Sequence, residues 1–221
     1  MADSRDMYVV HKVFRREFAA VPGLVREVAE GDVTRAGLVA DHVGLLTFVL
    51  TKHHEGEDLL VWPKLLERGA AEITPMVETM EHQHEALHRA LAEVDAKLDQ
   101  WRRTAGTGER EALAAAVERM IPPMVEHLDT EETHVLSLID KYLTAAEWEA
   151  VAAATMGKMP KSKLPLVFGM ALYGAEPEQV RILKDTLPAP AWFMFSRLGP
   201  RAFAKHSRRI HGTATPALVT D

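Results

Sequence analysis

The chain has 221 residues, 47% of them hydrophobic and 26% charged, and contains no cysteine. That is length enough for one good core plus an appendage, in ordinary globular proportions with nothing that suggests disorder. The lack of cysteine excludes a disulfide framework and a thiolate zinc site, and no nucleotide loop, nucleophile motif or nucleic-acid module is present.

Taken in chain order, apolar residues recur at helical spacing, and a small set of histidines and glutamates sits inside the apolar stripe. The first predicted helix carries Met7, Val10, Phe14 and Phe18 around His11. It passes Pro22 and Gly23 and ends near Gly31 and Asp32. The second has Leu46, Val49, His53, Glu57 and Leu60 and ends at Gly69; the third opens at Thr74 and Pro75 and has Val77, Met80, His84, Leu87, His88, Leu91 and Val94. After Gly106, Thr107 and Gly108 comes a fourth, with Val117, Met120, Met124, His127, Glu131, Val135 and Leu138. Pro122 and Pro123 lie within it and predict a kink just before His127.

Beyond Thr144 the pattern changes to shorter pieces. Thr144 and Glu147 resemble a capping box opening a helix to about Thr155. Residues 161–173, 177–187 and 190–211 then read as three helical segments separated by Gly and Pro. The predicted organisation is an all-α, up-down-up-down four-helix bundle over residues 1–143, followed by a helical extension over residues 144–221. Trp192, Phe193, Phe195 and Phe203 suggest that the extension packs on the bundle or on a second subunit, which makes a homodimer one partner reading.

The net charge of −6 hides an uneven division. Residues 1–157 hold 16 Lys and Arg against 28 Asp and Glu, a balance of −12, whereas residues 158–211 hold 10 against 3, a balance of +7. The simplest reading sets the basic tail against the acidic bundle; an oppositely charged partner is the alternative, and charge does not choose between them. Arg197, Arg201, Lys205, Arg208 and Arg209 read as a basic, solvated helix face with no nucleic acid expected. Asp3, Arg5, Asp6, Lys12, Arg15, Arg16 and Glu17 leave no apolar stretch for a signal peptide. The longest apolar run, residues 164–175, is about a dozen residues and too short to span a bilayer. A cytoplasmic protein without a membrane role is the expectation.

The chemistry rests on His11, His53, Glu57, His84, His88, His127 and Glu131. After His11 they fall into pairs spaced i,i+4, which share a helix face about 6 Å apart and can reach one ion or bridge two. Polar groups in a core seam are costly unless bonded, so seven of them at corresponding places on four helices call for a common partner. Counted from the three turns, their levels differ by only about 3 Å at 1.5 Å per residue, so an up-down-up-down bundle brings them together. Five imidazoles and two carboxylates suit a pair of iron ions: imidazole fits iron, copper or zinc, and bridging carboxylates favour a harder ion. A single four-coordinate zinc would use fewer ligands than these.

Glu132 offers a second register in the fourth helix, and Glu131 is preferred. His54 with Asp58 repeats the i,i+4 geometry one step around, about 100° from the stripe, and is not counted as a ligand. His82 reads as a surface residue, His134 as capped or solvated, and Tyr8 as partly buried with a wet hydroxyl.

The run His53, His54, Glu55, Gly56, Glu57 and Asp58, continuing to Trp62 and Pro63, resembles the hemerythrin family, specifically its His-His-Glu domains. So does the run His127, Leu128, Asp129, Thr130, Glu131 and Glu132, and the resemblance covers roughly residues 5–143. It implies an oxo- or hydroxo-bridged pair of iron ions. His84, His88 and His127 would hold one, His11 and His53 the other, and Glu57 and Glu131 would bridge. It further implies a small ligand (dioxygen, hydrogen peroxide or nitric oxide) at the iron with fewer imidazoles, in an apolar pocket of Phe14, Phe18, Val49, Leu60 and Met124. The setting implied is oxidative or nitrosative stress, with carrier, sensor and enzyme left open.

Overall fold

The computed structural model describes residues 1–69 and 73–218. Among these residues every regular element is a helix and there is no strand. They fall into two compact units, Met1–Ser4 with Phe18–Lys158 and Arg5–Glu17 with the described part of Met159–Asp221.

Helix α1 (Asp6–Arg26) runs through Pro22 without interruption, and its first half belongs to the second unit. In the first unit, Gly31 adopts φ +78°, which a residue without Cβ reaches freely, and Asp32 caps α2 (Val33–Leu60) by accepting the Arg35 N–H at 2.8 Å. The second predicted helix is in fact two. Pro63 has no N–H to give the Leu59 carbonyl, so α2 stops at Leu60 and α3 (Trp62–Arg68) restarts with the proline in its first turn.

Thr74 and Pro75 open α4 (Thr74–Thr104) as expected. The left-handed Ala105 (φ 47°) and extended Gly106 then turn the chain directly into α5 (Thr107–Thr130), which packs along α4. A left-handed alanine is a strained choice, and its N–H is held by the Trp101 carbonyl at 2.7 Å. The helix continues through Pro122 and Pro123. Its hydrogen-bond ladder departs from α geometry further on, in a π-helical turn at Glu131–Val135 that leads into α6 (Leu136–Tyr142).

Thr144 then caps α7 (Ala145–Gly157) in a reciprocal box: its hydroxyl accepts from Glu147 N–H at 3.3 Å and its own N–H donates to Glu147 Oε2 at 2.9 Å. The sequence reading places α7 in the extension; in the structure it lies in the first unit, against α2. The two come so close at Gly56 that a Cβ there would stand 2.7 Å from Thr155 Oγ1. The span Val33–Arg68 is long and apolar enough to cross a membrane on length and composition alone. Its packing against α4 and α7 is that of a core helix.

In the second unit, α8 (Leu164–Leu172), α9 (Pro177–Asp185) and α10 (Ala189–His211) match the three predicted segments. The seam of α8 and α10 is built on Gly169 and Gly199: a Cβ on Gly169 would lie 2.2 Å from the Gly199 carbonyl oxygen. Around it Phe168 meets Trp192 and Phe195, and Tyr173 tilts over Phe203 with ring centres 4.5 Å apart. Of the four aromatics expected to pack, Phe203 is buried, whereas Phe193 is 61% exposed and lies beneath the Arg197 guanidinium.

Candidate metal centre

Leu50 is wholly buried on α2, and the stripe it starts continues through the positions three and four residues on, then seven. Both His53 and His54 therefore face inward, with Glu57 below them. Across from them α4 supplies His84 and His88, and α5 with the π-helical turn supplies His127 and Glu131. His54, Glu57, His84, His127 and Glu131 are at most 2% exposed and His53 is 7% exposed. His88 is half-buried.

His54 sits at the middle of this group. Its ring stacks on His84 at 4.2 Å, meets His127 edge-on at 5.0 Å, and lies 5.6 Å from His53 and 5.9 Å from His88. Ligand nitrogens of His54, His84 and His127 all lie within 4.8 Å of one another. Glu57 reaches both sides, with Oε1 3.2 Å from His53 Nε2 and Oε2 3.5 Å from His84 Nε2. Glu131 Oε2 is 3.9 Å from His127 Nε2.

Partners outside the cluster fix the rings. Asp58 Oδ1 lies 2.5 Å from His84 Nδ1 and also accepts the Trp62 indole N–H at 2.9 Å. Gln83 Oε1 lies 3.2 Å from His127 Nδ1. Both acceptors hold the proton on Nδ1 and turn Nε2 into the cluster as a lone-pair donor. Gln83 also borders an open depression on α4 together with Glu78, Thr79 and His82.

The electrostatics are those of a site short of positive charge in the right place. Burial, then the Glu131 and Asp58 charges, push Glu57 well above its ordinary value. Burial and the four surrounding imidazoles push His54 well below its own. For Asp58 burial works upward, but the bond to His84 and the indole N–H outweigh it and lower the carboxyl. Two carboxylates kept from ionising together and a central imidazole, His54, kept neutral are the groups a divalent cation would satisfy at once. The donor set fits one. His54 Nδ1 and Nε2, both Glu57 oxygens and the Nε2 atoms of His84 and His88 are buried without a hydrogen-bond partner, although such groups are nearly always bonded in proteins.

Of the residues expected from sequence, His53, Glu57, His84, His88, His127 and Glu131 come together in the first unit, while His11 is fully buried on the half of α1 assigned to the second. Glu132, the alternative to Glu131, is less deeply buried. Reckoned from His53, the sequence sets His54 about 100° off the stripe; reckoned from the buried Leu50, His54 shares it. His82 and His134 are exposed as expected, and Tyr8 is 43% exposed. Of the expected apolar lining, Phe14, Phe18 and Met124 are buried, whereas Val49 and Leu60 are only partly so.

Histidines and carboxylates buried together on packed helices define an all-helical cation-binding protein. The family model of the hemerythrin HHE cation-binding domain matches residues 3–139, and the chain belongs to that family. Searches of curated proteins and of solved structures return no significant match.

Proposed function

We propose that the protein is a non-haem di-iron protein that binds or reacts with dioxygen, hydrogen peroxide or nitric oxide, built on an up-down-up-down four-helix bundle. The observation that carries this reading is the buried group of imidazole and carboxylate atoms lacking hydrogen-bond partners around His54, Glu57 and His84. Mixed nitrogen and oxygen donors with two acidic groups suit iron better than a soft-ligand metal. The ligands in this reading are His53, Glu57, His84, His88, His127 and Glu131, with His11 the further imidazole of the sequence pattern. When bound, the metal pair would supply redox chemistry and a coordination position for a small molecule.

The chain's own residues do the rest. Asp58 and Gln83 hold the His84 and His127 rings by their Nδ1 protons. Leu50 and Met124, each three residues before a histidine of the cluster, are fully buried. The ligand in this reading is a diatomic or peroxide rather than a large organic substrate, and the setting is a cytoplasmic role in oxidative or nitrosative stress. Anaerobic reconstitution of the full chain with ferrous iron tests the proposal. About two irons per chain are expected, with spectra that change on exposure to oxygen; one zinc per chain and no iron uptake would overturn it. A species that releases dioxygen under vacuum marks a carrier, and oxygen evolution from added peroxide marks an enzyme.

A further inference from the structure

We propose that His54 is a direct metal ligand, forming with His84 and His127 the three-imidazole set in which the sequence pattern places His88. The inference rests on the metal-centre reading above and specifies which nitrogens serve it. The three side chains are at most 2% exposed, and a ligand nitrogen from each lies within 4.8 Å of the other two. His88 stands further out. Its ring is 6.4 Å from that of His84 and 5.9 Å from that of His54, and the residue is only half-buried.

His54 has no structural occupation that would explain it. A neutral imidazole carries one N–H and one lone pair, and in a core each needs a partner. Neither nitrogen of His54 has one. Stacking on His84, with planes 21° apart, covers one ring face and leaves both nitrogens unsatisfied. An orphaned imidazole is costly and would be replaced by Leu or Phe at no loss if it only filled space. His84 and His127 differ in that each has an Nδ1 partner outside the cluster, Asp58 and Gln83. The position of His54 on α2 also explains the spacing: Leu50, His53, His54 and Glu57 occupy one stripe of the helix, so neighbouring imidazoles can serve different ions.

The experiment compares four full-length proteins expressed with ferrous iron: wild type, His54→Phe, His88→Phe and His84→Ala. Metal per chain, iron–nitrogen coordination number by X-ray absorption, and melting of the metal-free forms are measured. The expected result is that His54→Phe loses iron as fully as His84→Ala, at least tenfold below wild type. His88→Phe should retain the greater part, and metal-free His54→Phe should melt no lower than metal-free wild type. Wild-type iron content and coordination number in His54→Phe would overturn the inference while leaving the metal centre intact, provided His84→Ala still loses iron. Undiminished iron in His84→Ala would instead overturn the metal-centre reading itself. Should His54→Phe not fold, His54→Gly decides. Iron uptake that rises with added imidazole supports direct ligation, and uptake indifferent to imidazole overturns it.

Discussion

Each compact unit buries ionisable side chains, and the two do so in opposite ways. In the second unit Arg16 and Glu17 are 8% and 4% exposed, and the guanidinium is bonded on every side. It donates to Glu17 Oε1 at 2.8 and 2.5 Å, to the Tyr173 carbonyl at 2.7 Å and to the Met170 carbonyl at 2.9 Å, and it lies over the Tyr173 and Phe203 rings. In the first unit the nitrogens of His54 and the oxygens of Glu57 are as deeply buried and have no hydrogen-bond partner. A buried charge with its partners in place is a staple between chain segments; buried ligand atoms that lack them form a set that a cation would satisfy. Burial alone does not separate the two cases, and hydrogen-bond accounting does.

The sharpest way to break the contrast is to remove one member from each side. Arg16→Ala takes the guanidinium away from the buried Glu17 carboxylate and should cost about 3–5 kcal/mol in denaturant unfolding, whereas the double change Arg16→Met with Glu17→Leu should restore most of it. Glu57→Gln should behave the other way. Because burial holds Glu57 toward its protonated form, the metal-free variant should unfold at no lower denaturant than metal-free wild type, while its iron content collapses. If metal-free Glu57→Gln is as damaged as Arg16→Ala, the carboxylate is a staple too and the contrast fails.

Next in size is the support of the rings. Asp58→Ala and Gln83→Ala each remove the acceptor that holds an imidazole proton on Nδ1, and each should weaken iron binding by about 10–100-fold with little change in the fold. Competition with a chelator measures this. Full affinity in Asp58→Ala would mean that the 2.5 Å contact to His84 is incidental.

On the packed side, Gly169→Val would push a side chain into the Gly199 carbonyl and should destabilise the second unit by about 1–3 kcal/mol. Limited proteolysis should then cut first within residues 159–211. Unchanged stability there would show that α8 and α10 can slide apart without loss.

Much of this was legible in the sequence because breakers and caps act locally. Gly31, Thr74 with Pro75, Gly106 and the box at Thr144 each mark an end that the structure keeps. What escaped depended on neighbours distant in sequence. Pro63 splits a helix that periodicity alone reads as one, since periodicity is blind to a missing N–H. His54 looked peripheral because a stripe reckoned from one ligand is narrower than the face that α4 and α5 cover. The π-helical turn at Glu131–Val135 leaves no mark in residue type, although turns of this kind gather at functional sites. The pairing of Gly169 with Gly199 needed both helices in place before either glycine had a meaning.

The smallest expected effect lies at the start of α7, where partners are complete but wet. Glu147 receives the Thr144 N–H and two bonds from Arg68, at 2.8 and 2.6 Å, and these hold its carboxyl far below the ordinary 4.5, the Arg68 bond contributing most. A carboxylate whose folded value is depressed binds its proton more readily unfolded. Its contribution is therefore present above about pH 4.5 and is lost as the pH falls below that value. Arg68 is exposed and Glu147 partly so, so the ion pair itself contributes little. Thr144→Ala should cost about 1 kcal/mol at neutral pH through the lost cap. Glu147→Gln should lower the melting temperature slightly at pH 7, and the gap from wild type should close on acidification below pH 4. A gap that stays constant across that range would show that the carboxylate's charge contributes nothing and that the box acts through neutral hydrogen bonds alone.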